Sequence, residues 1–321
     1  MAYWVAFMHK IKAWLEAIGW RDYNVEIASE DASFRRYFRL QHSDKNYILM
    51  DSSLEKESLT PFLDVTGRLL ASGVNAPNII EQNLDDGFLI IEDFGSVHYL
   101  DILDESNYKD LYIKAIKTIV NMQASDARGL PIYDKAFLRF EMELMQEWFL
   151  EKYLKLSLSD EQKKLIDETL DSIADVVLSQ PQNLFVHRDY HSRNMLLTPA
   201  DQLGVIDYQD AMSGALTYDL VSLLKDCYIT HERSEIEKLA LQFRNLKRLD
   251  VDDATFLRWF DFMGLQRHIK VLGVFARLYL RDGKDGYLND LPLTLKYVLE
   301  AGERYEETRE LTALLKGIKL P

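Results

Sequence analysis

The chain changes texture once, near residue 95, and that change constrains its fold more than any other feature. Before it, short β-prone runs dominate, at 25–28, 34–40, 47–51, 79–82 and 88–92. Ser29, Glu30 and Asp31, then His42, Ser43 and Asp44, then Asp85, Asp86 and Gly87 supply turns between neighbouring runs, so hairpins in an antiparallel sheet are expected. One helix interrupts them, with Thr60 as N-cap, Pro61 at the first helical position, a stripe of Phe62, Val65 and Leu69, and Gly73 as the stop. Ahead of the sheet, Trp4, Phe7, Met8, Ile11, Leu15 and Ile18 recur at helical spacing, which predicts an amphipathic helix capping this lobe. Beyond Gly95 the stripes are helical, over 100–124, 135–156 and 160–179, the third opened by a Ser159/Gln162 capping box. Two short extended runs at 183–186 and 203–206 flank a polar segment, and helices then resume. The expectation is an α+β chain with a small antiparallel-sheet lobe, 1–95, and a larger, mainly helical lobe, 96–321, jointed at 93–96.

Composition narrows the function. Lys plus Arg total 38 against 52 Asp plus Glu, a formal net charge of −14, so phosphate backbones and anionic lipid should repel the chain. No apolar run approaches the ~18 residues that span a bilayer, and the single cysteine, Cys227, allows neither an internal disulfide nor a cysteine-based zinc site. A cytoplasmic protein that binds neither nucleic acid nor membrane is expected, a monomer by default.

The polar segment reads His187-Arg188-Asp189-Tyr190-His191-Ser192-Arg193-Asn194, and a short apolar run delivers Asp207 after it. This is the H-R-D-x-x-x-x-N arrangement followed by a second aspartate. Phosphoryl transfer from ATP needs a carboxylate to take the acceptor hydroxyl's proton, and oxygen ligands to hold Mg2+ against the phosphates. Asp189 is the candidate base, and Asn194 and Asp207 are the candidate metal ligands. His187 is expected to brace the loop through its backbone, while His191 either neutralises the migrating phosphoryl group or packs. Asp210, three residues after Asp207, is an outer ligand or a sugar contact.

These residues resemble the aminoglycoside phosphotransferase and choline kinase superfamily, which has a protein-kinase-like fold and phosphorylates small-molecule hydroxyls. Protein kinases proper fit worse, because Ile206-Asp207-Tyr208-Gln209 stands where D-F-G would and no A-P-E follows. Asp31 to Arg39, Leu49-Met50-Asp51, Gly87-Phe88-Leu89, Glu92-Asp93, the catalytic segment, Tyr218 to Leu224, and Gln266-Arg267-His268 through Lys284 together look like the anomeric N-acetylmuramate/N-acetylglucosamine kinases of bacterial cell-wall recycling. The resemblance implies an ATP- and Mg2+-dependent enzyme forming a sugar 1-phosphate. An aminoglycoside kinase and a nucleotide-binding pseudokinase are the alternatives.

One departure bears on nucleotide binding. Met50 ends the third strand where the kinase pattern has a lysine for the α and β phosphates. Arg36 or Arg39 is expected to supply that cation, the turn at Ser33 to cover the phosphates, and the backbone of Glu92, Asp93 and Phe94 to bind adenine. For the acceptor, Arg267, Lys270, Val274, Arg277 and Arg281 form one stripe of a long helix. Arg267, Lys270 and Arg281 are the candidates to read the lactyl carboxylate of N-acetylmuramate.

Overall fold

The computed structural model describes residues 2–21, 23–30, 35–42 and 45–320. Two compact units emerge, Met1–Val97 with Leu196–Asp210, and His98–Met195 with Ala211–Pro321.

The first unit is built on strands β1 (Tyr23–Glu30), β2 (Arg36–His42), β3 (Lys45–Asp51), β4 (Ile79–Asn83) and β5 (Phe88–Glu92), ordered β1-β2-β3-β5-β4, with every pairing antiparallel. Helix α1 (Ala2–Ala17) covers one face. Ile11, Trp14 and Leu15 of α1, with Trp20 just beyond it, pack against Phe38, Leu40, Leu49, Phe88 and Ile90, the alternate residues of three strands. Met50, Leu89 and Ile91 have the opposite parity and are also buried. Helix α2 (Leu59–Ala71) buries Phe62, Val65 and Leu69 as the stripe predicts. Its start differs from expectation: a 3-10 turn, Lys56–Ser58, leads directly into the helix, so Thr60 is inside it and Pro61 is the third helical residue.

The segment 196–210, expected in the helical lobe, groups with the first unit. Backbone bonds explain this: Val205 N–H donates to Asn75 O at 2.9 Å, and the Asn75 carboxamide donates to Leu203 O at 3.2 Å. A side chain at Gly204 would place its Cβ 2.4 Å from the Phe94 ring, so only glycine permits this approach. Strand β8 (Leu203–Val205) pairs with β7 (Met195–Leu197).

In the second unit, helices α3 (Tyr99–Ile102), α4 (Tyr108–Met122), α5 (Lys135–Leu144) and α6 (Asp160–Ser179) precede strand β6 (Leu184–Val186). After strand β9 (Met212–Gly214) come α7 (Tyr218–Leu224), α8 (Arg233–Leu246), α9 (Asp253–Asp282), α10 (Leu291–Gly302) and α11 (Glu306–Lys316). The Ser159/Gln162 capping box starts α6. The two extended runs do not pair with each other. β6 instead pairs with β9, a three-residue strand that does not stand out in the sequence. Helix α9 is central: its 30 residues start at the Asp252 cap and stop at Gly283, whose φ of +68° is left-handed. α5 runs into a π-helical stretch, Met145–Tyr153, beside a close approach of α9. A Cβ on Gly273 would lie 2.3 Å from the Leu144 carbonyl carbon.

Candidate active site

The polar segment that follows β6 leaves the strand through a backbone conformation that its residue disfavours. Arg188 has φ +78°, costly for a side chain with a Cβ, and the second unit holds it from several directions. The buried Asp219 carboxylate accepts the His187 N–H at 2.8 Å and the Arg188 N–H at 3.1 Å. Arg267 of α9 donates to the Arg188 carbonyl at 2.7 Å, and Glu141 of α5 accepts from the Arg188 guanidinium at 2.8 Å. Further along, Asp226 accepts from Ser192 N–H at 2.9 Å and Tyr228 N–H at 2.8 Å. The buried His187 ring accepts the Asp189 N–H at 3.3 Å. The Asn194 NH2 donates to the Asp189 carbonyl at 2.9 Å, which directs its carboxamide oxygen the other way.

Asp189 ends this braced turn with its side chain about half exposed. Burial opposes its charge, but Arg267, Lys270 and Arg188 outweigh that and hold the carboxyl far below the ordinary carboxylate range. The closest of them, Arg267, lies 3.6 Å from it. His191 packs edge-on against Tyr228, and burial lowers its pKa, so the ring is neutral near pH 7 and brings no positive charge. Lys270 donates to the Tyr218 hydroxyl at 2.9 Å and sits 3.7 Å from Glu141. Asp189, Arg267 and Lys270 border a cavity of about 350 Å³ whose apolar side includes Phe137, Phe140 and Val274.

The acceptor candidates therefore separate. Arg267 and Lys270 reach the cavity with partners already made. Arg281 is not among its lining residues: α9 carries that side chain past the cavity, where it pairs with Asp282 at 2.8 Å and is more than half exposed. Arg277, which sequence reasoning did not select, does line it. Glu141, Asp219 and Asp226 were also missed.

In the first unit, Asp207 has a left-handed φ of +64° and is exposed, accepting from Gln209 at 2.8 Å. The next residue, Tyr208, anchors it: the ring stacks on Phe62 and the hydroxyl lies 2.9 Å from that of Thr66. Asp210 is exposed in the same unit. Arg36 and Arg39 lie on opposite faces of β2, and each has a carboxylate partner. Arg36 pairs with the buried Asp51 on the α1 side, so it is no neighbour of Arg39. Arg39 forks onto Asp93 at 2.6 and 3.2 Å and borders a cavity of about 710 Å³ with Tyr47, Asn78, Glu92 and Gly95. Glu92 accepts from Asn78 at 2.7 Å, while Phe94 is buried and absent from that lining. Met50 is fully buried between Tyr37 and Leu89, and α2 offers only Asp64, paired with Arg68, where a kinase helix would present a glutamate. Ser33 lies outside the described residues.

Comparison with known proteins identifies the family. The phosphotransferase enzyme family (APH) matches residues 24–263. A protein of Neisseria meningitidis serogroup B named N-acetylmuramate/N-acetylglucosamine kinase is 39% identical over 95% of this chain and 94% of its own length. One of Pseudomonas aeruginosa with the same name is 38% identical over 91% of this chain and 87% of its own. Among solved structures, choline kinase LicA from Streptococcus pneumoniae superposes with a TM-score of 0.62 at 12% identity, covering 92% of this chain and 99% of that one. The ADP-bound aminoglycoside phosphotransferase APH(2'')-Ib gives 0.61 at 16% identity, covering 91% and 97%. These neighbours share the protein-kinase-like α+β fold, and the chain belongs to the phosphotransferase enzyme family as a small-molecule kinase with a hydroxyl acceptor.

Proposed function

We propose that the protein transfers the γ-phosphoryl group of ATP, with Mg2+, to the anomeric hydroxyl of N-acetylmuramate or N-acetylglucosamine, forming the sugar 1-phosphate in peptidoglycan recycling. The observation that carries this reading is the shared name of relatives 38–39% identical over more than 90% of the chain. The second unit's cavity supports it, since a carboxylate on one side and aromatic and aliphatic walls on the other suit the polar and apolar faces of an acetamido sugar.

In this reading Asp189 receives the proton of the anomeric hydroxyl as its oxygen bonds to the γ-phosphorus and the bond to the β–γ bridging oxygen breaks, releasing ADP. A carboxylate held so acidic is a weak base. It serves mainly to orient the hydroxyl, which suffices for a loose transition state that needs little nucleophilic push. Asn194 and Asp207 would hold magnesium: a carboxamide oxygen and a carboxylate are the hard donors it prefers, with phosphates and water completing the shell. Bound there, the ion would neutralise charge developing on the phosphates. Arg39 is the proposed nucleotide-side cation, and the backbone of Glu92 and Asp93 the proposed contact for adenine. His187 positions the loop, and Asp210 is assigned to the outer surroundings of the metal or sugar. The test is ADP release with ATP and Mg2+ against amino sugars and aminoglycosides. Turnover confined to aminoglycosides would replace the sugar, and nucleotide binding without turnover on any acceptor would make the protein a pseudokinase.

A further inference from the structure

Arg277 differs from the other cations of the α9 stripe. Arg267 is engaged by the Arg188 carbonyl and Asp189, Lys270 by Tyr218 and Glu141, and Arg281 by Asp282. Arg277 has no hydrogen-bond or ion-pair partner among the described residues, and its Nε is buried without one. A buried, unsatisfied donor of this kind is costly unless something outside the protein meets it. Asp282, an acid that Arg277 influences from a distance, is already bound at both oxygens by Arg281.

The helix also sets where Arg277 stands in the cavity. It follows Lys270 by seven residues, two turns or about 10.5 Å further along and only ~20° round the axis. Both line the cavity that Asp189 borders, so Arg267 marks the reacting end of α9, and Arg277 lies ten residues, about 15 Å, away along the axis. An N-acetylmuramate with its anomeric hydroxyl at Asp189 carries its lactyl ether on the part of the ring away from the reacting atom. That ether ends in a carboxylate, which N-acetylglucosamine lacks. A guanidinium fork with open donors, set against Val274 and the two phenylalanines, matches that group in charge and geometry.

We propose that Arg277 binds the carboxylate of the acidic amino sugar and thereby sets its preference over the neutral one. This rests on the sugar-kinase reading above. The experiment measures kcat/KM of wild type, Arg277→Ala and Arg277→Lys on N-acetylmuramate, on its methyl ester and on N-acetylglucosamine. Arg277→Ala is expected to lower the ratio of the acid to N-acetylglucosamine about ten- to hundredfold, the loss typical of a hydrogen bond to a charged group. Arg277→Lys keeps the charge without the fork and should recover part of it. The ester should show no comparable loss on substitution. An unchanged ratio in Arg277→Ala, or an ester that loses as much as the acid, overturns the role of Arg277 and leaves the sugar kinase standing. Wild-type enzyme that turns over neither sugar removes the parent reading and this one with it.

Discussion

Both units place arginines beside carboxylates, but they use the pairs differently. In the first unit Arg36 pairs with Asp51 and Arg39 with Asp93, each joining a side chain about 30% exposed to a carboxylate almost fully buried, and Arg39 also donates to the Gly95 carbonyl at 3.3 Å. In the second unit the cations are shared. Arg267 spans a backbone carbonyl and Asp189, Lys270 spans a phenol and Glu141, and Glu141 also takes Arg188 and Gln266. The first unit's pairs compensate buried carboxylates, a matter of stability. The shared set restrains a strained loop and keeps its carboxylate ionised, a matter of chemistry. Charge content alone does not separate the two uses; what each cation faces does.

The comparison breaks first at Asp189. Asp189→Asn keeps the side chain's shape while removing the charge the cations surround. It should lower kcat on the order of 10² to 10⁴ and leave nucleotide affinity, read by calorimetry, nearly unchanged. A variant retaining more than about half of wild-type activity would move the proton acceptor elsewhere.

Arg267→Ala tests the shared use directly. It leaves the Arg188 carbonyl without its donor and removes the largest influence holding Asp189 acidic. A loss of about ten- to hundredfold in kcat corresponds to the ~1–3 kcal/mol of such an unmet group. The pH dependence gives the sharper signature. With a folded pKa far below the ordinary value near 3.8, wild-type Asp189 is ionised at every working pH, and activity should show no acid limb from this group. Burial raises the carboxyl once Arg267 is gone, so the variant should lose activity toward pH 5 as Asp189 protonates. Superimposable pH profiles for the two enzymes would deny Arg267 this influence.

For the first unit the expected effects are smaller and fall on different observables. Arg36→Ala leaves Asp51 buried with only its own turn, where Ser53 N–H donates at 2.9 Å. It should cost about 1–3 kcal/mol, less than a fully buried pair because Arg36 reaches solvent, and lower Tm without changing KM for ATP. Arg39→Ala, which leaves the buried Asp93 with the Gly95 N–H, should lower Tm similarly and in addition raise KM for ATP up to about tenfold. If both variants shift only Tm, Arg39 is as structural as Arg36 and the nucleotide cation lies elsewhere.

The strands, the α1 and α2 stripes, the Ser159 cap and the polar loop between two short extended runs were legible because each rests on local spacing. Their contacts were not. Nothing adjacent in sequence ties 196–210 to Asn75, or shows Arg281 rotating away from the cavity while Arg277 stays on it. Asp219 and Glu141 did leave a signal, since each is a carboxylate inside an apolar pattern: Asp219 between Tyr218 and Leu220-Val221, and Glu141 on the buried side of α5 with Leu138 and Met142. A charge at such a position announces a buried partner, although the partner is unknown until the chain folds. The missing lysine was legible as an absence, and buried Met50 fills its place without revealing which cation takes over.

The smallest effect is expected at Arg281, and it tests whether α9 divides where the structure divides it. Arg277 and Arg281 are one turn apart on the same helix, carry the same charge and are equally plausible from spacing. They differ in surroundings. Arg281 contacts the adjacent Asp282 at 2.8 and 2.9 Å in a water-exposed turn just before Gly283, where a charge pair is screened and contributes little. Arg281→Ala should therefore change kcat/KM by less than about twofold on either amino sugar, with no change in their ratio. Measured beside Arg277→Ala under the same conditions, it separates nearness along the helix from contact with the cavity. A ratio that moves more for Arg281 than for Arg277 would mean the acidic acceptor reaches past the cavity to the end of α9, and the carboxylate site would have to be drawn one turn further on.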